Sequence, residues 1–275
     1  MKTRIISGAF YVAILTAFFL LRQLVHPWIF HLLTYFFIVV GTFEIARATK
    51  KVTIKGTRVL SFVFSLLFVP VYFIFQHYVS GSHGFIFATY LVAIMTIVNL
   101  LLAIEHNADI KTVLWTILNY VYPAMLLVVM LLANDMGEKG FVVLLLAFVI
   151  SPVSDTFAYL VGSRIGGKKL CPKLSPKKTW SGAIGGTLAG MIFSVIIGLI
   201  ACPNLNVFSP VVFYLIVGLL ASIVNIFGDL TESFIKRKMR IKDMGKIMPG
   251  HGGVLDRIDG TMFVIVVLYV MFLFV

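Results

Sequence analysis

The sequence predicts an all-α, polytopic integral membrane protein with about nine transmembrane helices, its N-terminus cytoplasmic and its C-terminus external. Three observations lead there. Of 275 residues, 60% are hydrophobic and only 12% charged, with a mean hydropathy of +1.03; a soluble chain carries about a quarter charged residues. Apolar runs near the roughly 20 residues needed to cross the hydrocarbon core recur nine times. Lys and Arg then alternate between the two sides that those runs define.

Taken in order, the runs are 5–22, 27–46, 59–76, 85–103, 113–133, 140–161, 182–201, 210–228 and 260–275. Lys2 and Arg4 ahead of the first run resemble the start of a signal peptide. No small-residue cleavage site follows at Arg22-Gln23-Leu24-Val25-His26, so the run reads as a retained span. Segments 47–58, 104–112, 162–181 and 229–259, together with the N-terminus, hold 21 of the 23 Lys and Arg. The opposite set holds only Arg22 and Lys139. That asymmetry sets the orientation. In this setting the net charge of +12 speaks for anionic headgroups rather than nucleic acid.

Cys171 and Cys202 are expected on opposite faces, which leaves no disulfide. Span seven carries Gly182, Gly186, Gly190, Ser194 and Gly198 at four-residue steps, a face for close helix packing. The middles of the first five spans are almost bare of charge. Glu44, placed near the inner interface, and His31, read as an interior histidine, are the exceptions. Organisation follows as an N-terminal transmembrane region, 1–150, and a C-terminal catalytic region, 151–275, with cytoplasmic loops 162–181 and 229–259.

Chemistry concentrates in those two loops and the adjoining span ends. Between Ser233 and Asp259 stand seven Lys/Arg, three Asp and one His. Charge at a membrane is costly, and a dense, ordered group of it marks function. Asp155, Asp229 and Glu232 lie within or beside apolar runs and suggest one shared polar pocket. Asp229, Asp256 and Asp259 are hard oxygen donors of the kind Mg²⁺ takes together with phosphates. Lys and Arg neutralise phosphate oxygens, and Gly252-Gly253 allows close backbone approach. The absence of cysteine ligands and the lone His251 speak against zinc. Phosphoryl or nucleotidyl transfer fits this inventory.

The run Gly228-Asp229-Leu230-x-Glu232-Ser233-x-x-Lys236-Arg237, Lys242-Asp243, Pro249-x-His251-Gly252-Gly253-x-x-Asp256-Arg257-x-Asp259 resembles the signature of the phosphatidate cytidylyltransferases, or CDP-diacylglycerol synthases. Asp155-x-x-Ala158-Tyr159-x-x-Gly162 and Ser175-Pro176-Lys177-Lys178-Thr179-Trp180 are similar to that family too. Ser181 departs from it, since an acidic or amide residue usually stands there. The resemblance is specific over 155–260 and compositional over 1–150. It implies transfer of CMP from CTP to phosphatidic acid, giving CDP-diacylglycerol and pyrophosphate, with Mg²⁺ and room for a second metal or a monovalent cation.

The same resemblance implies roles for individual residues. Asp229 and Asp256 become metal ligands, while Lys236, Arg237, Lys242, Asp243, His251, Arg257 and Asp259 form the catalytic set. Asp155, Tyr159, Ser175, Lys177, Lys178, Thr179, Glu232, Ser233, Gly252 and Gly253 become substrate-binding. A bacterial inner membrane with the site facing the cytoplasm is the expected location, membrane lipids are the surroundings, and a homodimer stays open. Two rivals remain at this point: a related CTP-dependent transferase or kinase acting on an isoprenoid lipid, and a transporter, which would carry charge near span middles.

Overall fold

A computed structural model of the chain describes residues 2–78, 84–203, 205 and 207–275. Every apolar run coincides with a helix: α1 (Lys2–Leu24), α2 (Ile29–Ala48), α3 (Lys55–Tyr78), α4 (Gly84–Glu105), α5 (Ile110–Tyr120) continued through a π turn (Val121–Met125) into α6 (Leu126–Asn134), α7 (Glu138–Ile165), α8 (Trp180–Ala201), α9 (Pro210–Met239) and α10 (Leu255–Leu273). Among the described residues, seven spans are long and apolar enough to cross a membrane, and Ala93–Glu105 of α4 is a shorter apolar stretch. The protein is an all-α polytopic membrane protein.

Local chemistry sets the helix ends. Asp109 caps α5 by accepting from Thr112 N at 3.1 Å, Thr179 caps α8 from Gly182 N at 3.1 Å, and Ser209 precedes Pro210 at the start of α9. Gly166, at φ 68°, ends α7 in a conformation that favours glycine. Pro123, which has no N–H to give the ladder, sits in the π turn.

Two segments differ from their reading as plain loops. The loop 162–181 contains an antiparallel hairpin, β1 (Lys169–Cys171) with β2 (Ser175–Thr179), in which Lys169 faces Thr179 and Cys171 faces Ser175. Outside the apolar spans, that ladder satisfies backbone groups that would otherwise depend on water. The segment 229–259 is helical as far as Met239 and again from Leu255. Hydropathy stops where charge begins, whereas the helix runs on. Cys171 and Cys202 are free thiols.

The chain forms two compact units. The first comprises Met1–Leu132 with Ile241–Arg257, and the second Ala133–Arg240 with Ile258–Val275. In the first, α2, α3 and α5 bury Phe30, Phe37, Ile45, Tyr72 and Tyr120. His31 is interior there, edge-on to Tyr72 and Phe73, and the Thr49 hydroxyl donates to Asn119 Oδ1 at 2.7 Å.

In the second unit, α8 packs between α7 and α9 through its small-residue face. Gly182, Gly186, Gly190, Ser194 and Gly198 are all buried, while Ile184, Leu188, Ile192 and Ile196 on the other face are exposed. A Cβ on Gly186 would stand 2.5 Å from the Ser154 carbonyl oxygen, which backbone cannot yield. Gly186→Val should therefore destabilise the protein by about 1–3 kcal/mol, the range for overpacking. Leu188→Val, on the exposed face, should leave the unfolding midpoint in detergent nearly unchanged.

Candidate active site

The site residues named from sequence divide between the two units, and each group is coherent within its own. In the second unit, Asp155 on α7 accepts from Asn225 Nδ2 on α9 at 3.0 Å. Ser151, one turn before Asp155, donates to Asn225 Oδ1 at 2.6 Å. Asp229 follows Asn225 by four residues, hence on the same face of α9. Its Oδ2 is ion-paired with Lys178 of β2, and its Oδ1 accepts from Ser233 at 3.2 Å. One turn from Asp229, the buried Glu232 pairs with Lys236.

Asp259 lies close enough to Asp229 and Asp155 for their charges to act on it. The backbone there permits close approach: a Cβ on Gly228 would meet Asp259 O at 2.6 Å and Gly260 Cα at 2.9 Å. This unit thus brings together Asp155, Lys178, Asp229, Glu232, Ser233, Lys236 and Asp259.

The first unit gathers the other group. Oδ2 of Asp256 accepts two backbone N–H groups, from Met244 and Gly253, each at 2.8 Å. A single carboxyl oxygen therefore ties both ends of the 244–253 loop. Within it, Met248 N donates to Gly252 O, and His251 N to Met248 O, both at 2.9 Å. Gly252 has φ 89°, a left-handed value that disfavours other residues.

The Ser7 hydroxyl donates to the Pro249 carbonyl at 3.0 Å and lies 2.7 Å from His251 Nδ1. It has one proton, and with that proton on Pro249 the Ser7 oxygen accepts from Nδ1–H. The loop lines an open cavity of about 670 Å³ bordered by Lys242, Asp243, Lys246, His251, Gly252 and Arg257. A basic, glycine-containing recess of this kind suits phosphate oxygens.

Five named residues do not join either group. Tyr159, Lys177 and Arg237 are exposed. Ser175 stands in the hairpin ladder opposite Cys171. Thr179 is buried and occupied with capping α8, and Ser181 bonds to Thr179 Oγ1 at 3.1 Å and to the Gly166 carbonyl. The pair Thr179 and Ser181 thus fastens the hairpin to the ends of α7 and α8.

Sequence reasoning missed Ser7, Ser151 and Asn225, and it placed Glu44 only at an interface. Ser151 and Asn225 each precede a recognised aspartate by four residues in an apolar helix, a spacing that could have revealed them. Ser7 offered no such signal.

The profile of the cytidylyltransferase family matches residues 2–275 of this sequence. The chain belongs to the cytidylyltransferase family. A phosphatidate cytidylyltransferase of Bacillus subtilis (strain 168) is 30% identical over 272 residues, covering 98% of this chain and 96% of that protein. The phosphatidate cytidylyltransferase of Brucella abortus biovar 1 (strain 9-941) is 44% identical over 131 residues, 47% of this chain and 46% of its own length. That of Rickettsia prowazekii (strain Madrid E) is 42% identical over 134 residues, 47% and 58% respectively. In these last two matches the chain spans about half the length of the relatives.

Hard carboxylate oxygens are the donors that a divalent cation takes. Among the described residues no three His, Cys, Asp or Glu form a ready cage. Mg²⁺ needs none, since it binds through one or two carboxylates and completes its shell with water and phosphate. Asp229, already facing one cation in Lys178, and Asp256 are donors of that kind.

The cap assigned to Thr179 has a direct check. Thr179→Val should lower stability by about 1 kcal/mol through loss of the cap, and Thr179→Ser should restore it, as read from thermal unfolding in detergent.

Proposed function

We propose that the protein is a phosphatidate cytidylyltransferase, transferring CMP from CTP to phosphatidic acid at the cytoplasmic face of a bacterial inner membrane. The observation that carries this reading is the pairing of hard carboxylates with lysines at the ends of apolar helices, with Lys178 on Asp229 and Lys236 on Glu232. A membrane helix end is where an acyl-anchored phosphate and a soluble nucleotide can meet. Full-length similarity to the Bacillus subtilis relative supports the same reaction.

In this reading an oxygen of the lipid phosphate forms a bond to the α-phosphorus of CTP, and the bond between that phosphorus and the β-phosphate oxygen breaks to release pyrophosphate. The phosphate monoester is already an anionic nucleophile, so no general base is required. Asp229 and Asp256 are each a proposed ligand for Mg²⁺, which when bound supplies charge neutralisation to the phosphates. Lys178 and Lys236, part-buried beside their carboxylates, and Lys242 and Arg257 at the cavity would hold phosphate oxygens in line. With Nδ1 engaged by Ser7, His251 would meet phosphate through Nε2. Basic segments on the cytoplasmic side would raise local concentrations of anionic lipid and nucleotide.

The test uses purified protein in phosphatidate-containing micelles with labelled CTP. Wild type should yield CDP-diacylglycerol and pyrophosphate, and EDTA should abolish both until Mg²⁺ is restored. Asp256→Asn can keep both loop bonds on its remaining oxygen while losing the second carboxylate oxygen. It should fold normally and lose at least about 100-fold in kcat/KM, as should Asp229→Asn, given the weight of electrostatic stabilisation in such transfers. Full activity in either variant would remove that residue from the metal assignment. Turnover of an isoprenoid substrate in place of phosphatidate would point to a related lipid transferase.

A further inference from the structure

Glu44 lies on α2, far in sequence from every motif described above, and only 2% exposed. Its Oε1 accepts from Val254 N at 3.1 Å, and its Oε2 from Leu255 N at 2.9 Å. These N–H groups open α10, where a helix leaves its first donors without intrahelical partners. A carboxyl group is well matched to that end of the helix dipole. The residues that follow are Asp256 and Arg257.

The seat around Glu44 is built to its shape. A Cβ on either Gly245 or Gly253 would overlap the Glu44 carboxyl oxygens. One turn earlier on α2, a Cβ on Gly41 would stand 3.0 Å from Leu255 Cδ2, so α2 and the start of α10 also meet in apolar contact. Asp256 in its turn gathers Met244 N and Gly253 N. The bonds form a chain from Glu44 to the start of α10, to Asp256, and through it to both ends of the loop around the basic cavity.

We propose that Glu44 is a positioning residue of the site, the side chain that fixes the 241–254 loop and thereby aims Asp256 and Arg257. The inference rests on reading the protein as a CTP-dependent transferase. Glu44 touches neither substrate. Its loss acts by loosening the loop, and misplacing reacting groups by about 1 Å costs on the order of 100-fold.

Three variants test this in the intact protein: Glu44→Ala, Glu44→Gln, which keeps one carbonyl oxygen but turns an NH₂ toward the other backbone donor, and Gly245→Ala, which displaces the carboxyl without deleting it. Two readouts apply. Limited trypsin digestion in nanodiscs reports the loop through cleavage after the exposed Lys242 and Lys246, and it needs no activity. Steady-state kinetics report the apparent KM for CTP, the Mg²⁺ requirement and the KM for phosphatidate.

The expected result is cleavage at least roughly tenfold faster in Glu44→Ala and Gly245→Ala, with Glu44→Gln intermediate. CTP KM and Mg²⁺ requirement should rise by roughly tenfold or more, toward the 100-fold that misplacement can cost, while the phosphatidate KM stays within about twofold. If Glu44→Ala does not fold, the other two variants decide. Wild-type cleavage and CTP dependence in the variants that fold would overturn the proposal. So would an equal loss toward both substrates. A wild-type protein that makes no product from CTP and phosphatidate would fail the functional reading instead, leaving the proteolysis arm to judge the loop.

Discussion

A carboxyl group at the end of an apolar helix must be met by partners that the protein itself supplies, because the bilayer supplies none. That constraint organises both units. Asp229 has Lys178 and Ser233, Glu232 has Lys236, and Asp155 has Asn225. Glu44 has two backbone amides, and Asp256 has two more on one oxygen. Each partner fixes its carboxyl in place. The same bonds that make burial tolerable therefore also aim the groups that chemistry requires.

Backbone donors and side-chain cations do this work differently. Amides at the start of α10 are held by the helix itself, so Glu44 is a fixed point of the first unit, and Asp256 in the next position passes that order to the 244–253 loop. Lys178 and Lys236 sit on long, flexible stems and are part-exposed. Lys178, whose partner Asp229 is part-exposed as well, can exchange it for a phosphate oxygen at small cost, whereas Lys236 is held more firmly by the buried Glu232. Fixed carboxylates with an exchangeable ammonium group suit a reaction in which the phosphates arrive as one set and leave as another.

Much of this was legible in the sequence, for reasons that also explain what was not. Hydropathy located every helix, because roughly 20 apolar residues have few other fates. It ended the eighth span at 228, where charge begins, although Glu232 and Lys236 at i,i+4 continue α9 to Met239. The strands of 169–179 escaped notice because KLC and SPKKT are short, mostly polar and without alternation. Asp155, Asp229 and Asp256 stood out as carboxylates within an ordered motif. Glu44 did not, because its partners are backbone amides more than 200 residues away, and amides have no sequence signature. Ser7 escaped for a related reason: its partners are a carbonyl and an imidazole across a similar gap.

Helix packing and site chemistry in the second unit are one constraint rather than two. Gly186 on α8 lets it approach α7, and Gly218 on α9 lets that helix approach α8, until backbone nearly touches backbone. At the basic end of that contact, a Cβ on Gly162 would come within 2.7 Å of Thr179 Oγ1 and 3.3 Å of Gly182 Cα, so the helix ends converge as closely as their middles. Thr179 caps α8 at that point, and Lys178 immediately precedes it. The position of the Lys178 ammonium on Asp229 is therefore set by how tightly α8 can lie against its neighbours. Larger residues along the stripe would part the helices and draw Lys178 away from Asp229, even though none of them touches a charged group. The glycines deep in the apolar region belong to the site in this sense: they determine the distance across which its charges act.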